Sequence, residues 1–482
     1  MTLPLRLDRD GGSPLPGQLA DQLRGLIGSV VLAPGDALPS TRALAAHLGV
    51  SRGTVVVAYD QLLAEGYVSA AAGRSTVVNP HLRQLHPQPT ARPARGPAEP
   101  RPTPGTSSGL DLRPGRPWPD EVVGPAWKAA WRQAASAPVG VATPDLGLTE
   151  LRTAWSEHLR RMRSVVRPPE QIAVTAGGRE GLALLLLAVA SDRPLRVGVE
   201  NPGYPSLRRV PGRFGAGIVP LPVDERGLRV DDLPSGTDAP DLLLVTPSHQ
   251  YPLGGSLPVD RRQALLEWAR GNRVIVVEDD YDSELRYTSA PLPAMAALDD
   301  ADDGTVVLLG TLSKMLTPDL AVGFLALPSR LVPQVAAIRH DLGQPVGLVA
   351  QRALAAYLDA GALRLHTQRM RNRYRRRRAQ VVAELSGLPG THFHPMDGGL
   401  HAVIETARAE DEVVAALAAA DVRVSPLSQY WSGGGTHPGI VFGFGAVSDA
   451  DLTRALRVIA AAVASVPDPP RYASAGTLPG AQ

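Results

Sequence analysis

The sequence predicts a multi-domain chain. A small N-terminal α+β unit built on a helix-turn-helix comes first, then a linker, then a large α/β unit with a mostly parallel sheet and a smaller α+β lobe. Three observations carry this. The stretch NPHLRQLHPQPTARPARGPAEPRPTPGTSSG, crowded with Pro, Arg and Gly and lacking any apolar period, separates two patterned regions. Beyond it, short apolar runs (LRVGVE, DLLLVTP, RVIVVEDD, VVLLGT) alternate with helix-length segments, the signature of a doubly wound sheet. Finally, 482 residues exceed the roughly 100–200 expected of one domain.

These features set the expected boundaries: an N-terminal unit over 1–79, a linker over 80–119, and a third region over 120–464 whose large part covers about 150–345 and whose small lobe covers about 346–464. The tail, 465–482, reads as disordered. Hydrophobic content of 44% with 20% charge suits a folded water-soluble domain, and no apolar run is long and clean enough to span a bilayer. The opening MTLPLRLDRDGG lacks the basic-then-apolar layout of a signal peptide. With no cysteine there is no disulfide framework and no thiolate metal site, and no metal is expected; a cytoplasmic location is. A net charge of only +2 means that any nucleic-acid surface must be local.

In the N-terminal unit, LPSTRALAAHLGVSRGTVVVAYDQLLAEGYV holds two helical patterns joined by a Gly-containing turn, with Ala45, Leu48, Val50, Val55 and Leu62 placed to pack them. Ser51 is positioned to cap the second helix. A recognition helix reads base edges with its first residues, which makes Ser51, Arg52, Gly53 and Thr54 candidates for the groove of double-stranded DNA. Ser40 and Arg42, at the start of the preceding helix, are candidates for phosphates. Arg74, in AAAGRSTVV, is a candidate for the tip of a small hairpin wing.

The large region contains an unusual lysine. Of 49 basic residues only Lys128 and Lys314 are lysines. Lys314 follows the apolar run VVLLG and the turn residues Thr311, Leu312 and Ser313, near the carboxyl end of a strand, where doubly wound sheets gather their ligands. A primary amine condenses with an aldehyde, whereas a guanidinium stays protonated and does not. The run RVIVVEDDYDSELRY ends a strand with Glu278, Asp279, Asp280 and Tyr281. In TAGGREGLALLLLAVA two glycines open an apolar helix, a seat for phosphate. Amine, carboxylate, hydroxyl and phosphate seat together match the needs of pyridoxal 5′-phosphate (PLP).

PGDALPSTRALAAHLGVSRGTVVVAYDQLLAEGYV resembles the winged helix-turn-helix of GntR-superfamily bacterial regulators. The later residues resemble PLP-dependent transferases of fold type I. Taken with VENPGYPSLRRV, TPSHQYPLGGSLPVDRRQALLEWA, EDDYDSELRY and GTLSKMLTP, the chain from about Leu15 to Ala464 resembles the MocR/GabR subfamily, in which such a winged helix is fused through a long linker to an aminotransferase-like sensor domain. The resemblance implies a transcriptional regulator rather than an enzyme, acting as a domain-swapped homodimer on operator DNA. The implied effector is an amine, an amino acid or PLP itself. It assigns Lys314 as the Schiff-base residue, Asp279 to the pyridine nitrogen and Tyr281 to the phenolic oxygen, with Tyr204 near the ring. Ser313 with Gly177, Gly178 and Arg179 would hold the phosphate, and His249 or Gln250 would line the O3′ side.

Several positions depart from the family pattern. Ala321 stands where the family carries a phosphate-gripping Arg, Val141 or Ala142 where it carries a tyrosine reaching the neighbouring subunit's phosphate, and Arg179-Glu180 where it carries a Gln pair. Val441, in GIVFGFG, occupies the position of the arginine that grips a substrate α-carboxylate. The expectation is therefore weak, reversible PLP binding with Arg179 compensating, and no ordinary transamination. A working aminotransferase with a DNA-binding head, and a regulator that has abandoned PLP, are the alternatives. The Arg-rich stretch RLHTQRMRNRYRRRRAQVV reads as a solvated or dimer-facing helix.

Overall fold

The computed structural model describes residues 3–9, 13–29, 31–70, 75–82, 109–138, 143–287, 293–433 and 437–464. They fall in two compact units, Met1–Thr106 and Ser107–Gln482. Arg74, most of the linker, Val141, Ala142 and the tail lie outside the described residues.

The first unit is a winged helix-turn-helix. Helices α1 (Leu15–Gly28), α2 (Thr41–Leu48) and α3 (Arg52–Ala64) precede a short antiparallel pair, β1 (Val68–Ser69) and β2 (Val77–Val78). Each helix of the motif begins on a serine: the Ser40 hydroxyl accepts from the Ala43 amide at 3.2 Å and that of Ser51 from the Thr54 amide at 3.1 Å. Between them Gly49 ends α2 at φ +65, a left-handed conformation that a side chain would strain. Leu19, Leu23, Leu44, Val55 and Leu62 form the core, with Leu48 and Val50 packed against its edge. Tyr59 is buried under the motif and donates to the Pro39 carbonyl at 2.9 Å.

The second unit begins with β3 (Leu110–Asp111), α4 (Pro125–Ala135) and α5 (Thr149–Arg163). The sheet region follows: β4 (Ile172–Thr175), α6 (Gly178–Ala188), β5 (Arg196–Asn201), α7 (Pro205–Arg208), α8 (Val210–Arg213), β6 (Gly217–Asp224), β7 (Gly227–Leu228), β8 (Leu242–Val245), α9 (Val259–Asn272), β9 (Ile275–Asp280), β10 (Val306–Thr311) and β11 (Gly323–Ala326). Helices α10 (Val332–Leu342), α11 (Leu348–Asp359) and α12 (Ala362–Leu385) lead to the small lobe: β12 (Thr391–Phe393), β13 (His401–Thr406), α13 (Glu410–Ala419), β14 (Val422–Arg423), β15 (Ser425–Pro426), β16 (Gly439–Gly443) and α14 (Asp449–Val463).

The large sheet has the order β4-β11-β10-β9-β8-β5-β6-β7. From β10 to β6 all neighbours are parallel; β11 runs antiparallel to both β10 and β4. Its apolar strands are sandwiched between two clusters, one holding Trp155, Val276 and Leu308, the other Leu185, Val277 and Leu309. Neighbouring residues of one strand therefore feed opposite layers, as a doubly covered sheet requires.

Two boundaries differ from the sequence reading. Leu110–Trp118, assigned to the linker, packs in the small lobe: β3 pairs in parallel with β14, and Leu112 is buried with Tyr374, Phe442 and Phe444. Helix α11, assigned to the small lobe, contributes Leu354 and Tyr357 to the large core beside Leu151. Composition hid both, because a two-strand pairing and a helix face are fixed by distant partners. The small lobe carries a four-stranded sheet, β12-β13-β16-β15. In α12 the arginines divide by burial. Arg373 and Arg377 lie over the Trp118 ring at 4.0 and 5.0 Å, while Arg364, Arg369, Arg375 and Arg376 are exposed. Among the described residues no helix is long and apolar enough to cross a membrane.

Candidate functional site

Strands β9 and β10 are parallel neighbours with Leu309 opposite Asp279 and Gly310 opposite Asp280, so their carboxyl ends open at one place. Here the chain leaves β9 through Tyr281 and β10 through Thr311, Ser313 and Lys314. The turn after β4 brings Gly177, Gly178 and Arg179 to the same point. A cavity of about 190 Å³ lies between them, lined also by Tyr204, Tyr251, Leu207 and Ala321.

Strand alternation decides which of three consecutive acids faces this cavity. Glu278 points the other way and accepts from the amides of Met295 and Ala296 at 2.9 and 3.0 Å. Asp280, on the same face, pairs with buried Arg163 at 2.7 Å. Only Asp279 of the three lines the cavity. Burial, with Asp280 and Asp282 nearby, raises its carboxyl to about 8. A neutral acid beneath a cavity is poised to ionise against an incoming cation.

Lys314 is half-buried, and the loss of hydration around its amine is the main cause that lowers it below the ordinary lysine value, against the opposing pull of Asp282 and Asp279. A lysine so placed holds more of the free base that acts as a nucleophile. Its Nζ donates to the Gly115 carbonyl at 2.8 Å. Tyr281 donates to the His249 carbonyl at 3.0 Å and lies 2.9 Å from His249 Nδ1; burial raises its hydroxyl well above the usual value. A further buried acid, Glu200, accepts from Thr246 and is raised to about 7, mainly by burial.

The other end of the cavity is shaped for an anion. Gly177, at φ +82, precedes α6 without a side-chain cap, which leaves the first amides of the helix free of a side-chain acceptor. Arg179 is exposed in the first turn, and the Thr311 and Ser313 hydroxyls lie 2.9 Å apart opposite it. Glu180 does not line the cavity: its carboxylate accepts from the Ala176 amide at 2.8 Å and from buried Arg339 at 2.8 Å. Ala321, at φ +47, closes this end with a methyl group.

His249 and Gln250 are not among the lining residues. Nδ1 of His249 faces Asp282 at 3.0 Å, and the Gln250 amide donates to the carbonyls of Pro202 and Tyr251 at 2.9 and 2.8 Å. Both are turned into the protein to satisfy buried polar groups. The next residue, Tyr251, faces the cavity instead, edge-on to Tyr204 with 5.2 Å between ring centroids. Sequence reasoning missed Tyr251 and Thr311; their only signal was adjacency to the segments already singled out. Beyond Tyr251 lies an apolar wall in which Val441 is fully buried with Val403, Leu427 and Tyr430.

In the first unit, Ser40, Arg42, Ser51, Arg52 and Gly53 are exposed and Thr54 is partly so. Both serine hydroxyls already serve as helix caps. Arg52 reaches back only as far as the Thr41 hydroxyl, at 3.4 Å.

A winged helix joined to a fold-type I transferase domain defines a class of bacterial transcriptional regulators. Residues 15–78 match the gntR family of bacterial regulatory proteins, and residues 119–459 match aminotransferase class I and II. The chain belongs to the MocR-type regulators, which combine these two domains. It is 48% identical over 461 residues to the HTH-type pyridoxine biosynthesis transcriptional regulator PdxR of Corynebacterium glutamicum, covering 96% of this chain and 98% of that one. It is 31% identical over 501 residues to the probable rhizopine catabolism regulatory protein MocR of Rhizobium meliloti, with 98% of each covered. Among solved structures, an archaeal alanine:glyoxylate aminotransferase superposes with a TM-score of 0.68 at 23% identity, over 74% of this chain and 91% of the other, a likeness of fold.

Proposed function

We propose that this regulator senses PLP itself: its aminotransferase-class domain takes the cofactor reversibly on Lys314, and that occupancy sets how the winged helices engage DNA. The observation that carries the reading is one cavity shared by a half-buried amine of lowered pKa, a neutral carboxyl and an exposed arginine at a helix N-terminus. These residues fit PLP. Asp279 would hold the ring nitrogen as its charged partner, Tyr281 would hold the phenolic oxygen, and Tyr204 with Tyr251 would wall the ring. Ser313, Thr311, Arg179 and the amides at Gly177 and Gly178 would hold the phosphate. When bound, PLP supplies an aldehyde carbon to the amine.

The remaining residues argue for sensing over turnover. Where an α-carboxylate would need a cation, the wall is Val441 in an apolar cluster. The name of the PdxR relative, a pyridoxine biosynthesis regulator, agrees with a vitamer ligand. With a methyl group at Ala321 in place of a guanidinium, affinity should sit below that of a transaminase, as a sensor requires. On the DNA side, Arg42 and Arg52 contact the duplex, with Ser40, Ser51, Gly53 and Thr54 at the groove. A homodimer gives two such helices for two half-sites, and the family resemblance supports a domain-swapped arrangement. The site of action is the cytoplasm, where the DNA is.

An absorbance titration of the full chain with PLP tests the reading. A new long-wavelength band that saturates in the wild type and is missing in Lys314→Ala is expected. Adding amino acids should leave it unchanged. A wild-type spectrum equal to that of Lys314→Ala, or steady conversion of an amino donor and a keto acid, would sink it.

A further inference from the structure

The one hydrogen bond that Lys314 makes among the described residues ties it to the chain segment through which the linker enters the second unit. This strap runs from Gly109 to Trp118 and is anchored at both ends. At its start, Leu110 donates to the Asp421 carbonyl at 2.7 Å and Leu112 to that of Arg423 at 2.9 Å. At its end, the Trp118 amide donates to the Tyr374 hydroxyl at 2.8 Å. Between the anchors the sequence is Arg113-Pro114-Gly115-Arg116-Pro117, in which two prolines have no amide to donate. The Gly115 carbonyl is the acceptor for Lys314 Nζ.

The approach is tailored by glycines. Gly115 sits at φ +97, and a Cβ there would come within 2.6 Å of Nζ. Across from it, a Cβ on Gly443 would meet Pro114 Cα at 3.0 Å, and one on Gly445 would meet the Arg116 carbonyl oxygen at 2.4 Å. Only Gly at these places lets the strap lie close enough for its carbonyl to reach the amine.

We propose that this contact is a latch: Lys314 holds the strap down while its amine is free and lets go when the amine reacts. The inference rests on the proposed binding of PLP at Lys314. Condensation forms a C=N bond and breaks the aldehyde C=O bond; the oxygen leaves as water with both amine hydrogens, and nothing is oxidised or reduced. The lysine nitrogen would then carry no N–H of its own to offer the Gly115 carbonyl. Covalent occupancy therefore removes the donor, and Arg113–Arg116 is released at the point where the linker enters the second unit. In sequence that linker leads to the winged helix, so the strap gives ligand occupancy a route to the tether that sets the reach of the DNA-binding unit.

Hydrogen exchange on the full chain tests the latch, with the absorbance band reporting PLP loading separately. Loading should speed exchange of the Leu112 and Trp118 amides, which donate from the strap to the small lobe, by about tenfold as the released segment loosens its anchors. Lys314→Met and Gly115→Ala should show the same rise without PLP. A PLP-loaded wild type with unchanged strap exchange overturns the latch. If no band forms, the cofactor reading fails by itself, and the two variants still decide: raised exchange supports the latch, and unchanged exchange in both overturns it.

Discussion

Arg339 donates to Glu180 across 2.8 Å, and this pair keeps the carboxylate next to Arg179 out of the cavity. Arg339 is almost fully buried, whereas Arg179 is exposed in the first turn of α6. Two adjacent residues of opposite charge thus have separate tasks, one in folding and one facing the anion site.

Their variants should separate accordingly. Arg179→Ala is expected to weaken PLP binding by about tenfold or more, the value of one charge-assisted contact, with little change in Tm. Glu180→Ala should leave buried Arg339 without its carboxylate and cost about 1–3 kcal/mol of stability while leaving phosphate affinity intact. Titration by absorbance and thermal unfolding read the two effects.

Ala321→Arg places a guanidinium opposite Gly177, where the family pattern carries one. PLP affinity should rise about tenfold, and the response to the ligand should become harder to reverse on dilution. An unchanged affinity would show that the left-handed backbone at Ala321 aims the side chain elsewhere.

Asp279 makes stability depend on pH. Its carboxyl is raised to about 8 in the folded chain by burial, against about 4 in an unfolded one. Between these values folding takes up a proton, so the contribution of this group to stability is full below pH 4 and is lost as pH rises to 8. Asp279→Asn should flatten that part of a Tm-against-pH curve and raise Tm at pH 8. The same substitution should weaken PLP binding, because the ring nitrogen loses its counter-ion.

Val441→Arg tests whether the carboxylate grip can be restored by one substitution. The site is fully buried among Tyr251, Val403, Leu427 and Tyr430. An unpaired guanidinium there should cost about 3–5 kcal/mol, and the variant is expected to lose stability, measured by thermal unfolding, rather than gain transaminase turnover.

In the winged helix, Ser51→Ala removes the cap on α3 and should cost about 1 kcal/mol, read as a lower Tm of the full chain's first transition. Arg52→Ala should leave that transition in place and weaken DNA binding, with a shallower dependence on salt.

Much of this site was legible in one dimension. Lysine is so rare in the chain that Lys314 stood out by itself, and the strand-end motif placed Asp279 and Tyr281 near it because apolar runs and their termini are local patterns. Ser51 announced its helix for the same reason, since a cap acts on an amide three residues away; the cap that Ser40 makes on α2 emerged only in the structure. What the sequence by itself determined is therefore the set of elements and the chemistry at their ends. The tertiary structure decided which groups meet. It turned Asp280 to Arg163 and Asp279 to the cavity, chose Tyr251 over His249 and Gln250, paired Glu180 with Arg339, and laid Gly115 against Lys314 from a segment that composition had assigned to the linker. Each of these contacts joins distant parts of the chain or depends on the direction of a side chain at a turn. Such contacts are selected by the packing of the whole core, and no local pattern of residues records them.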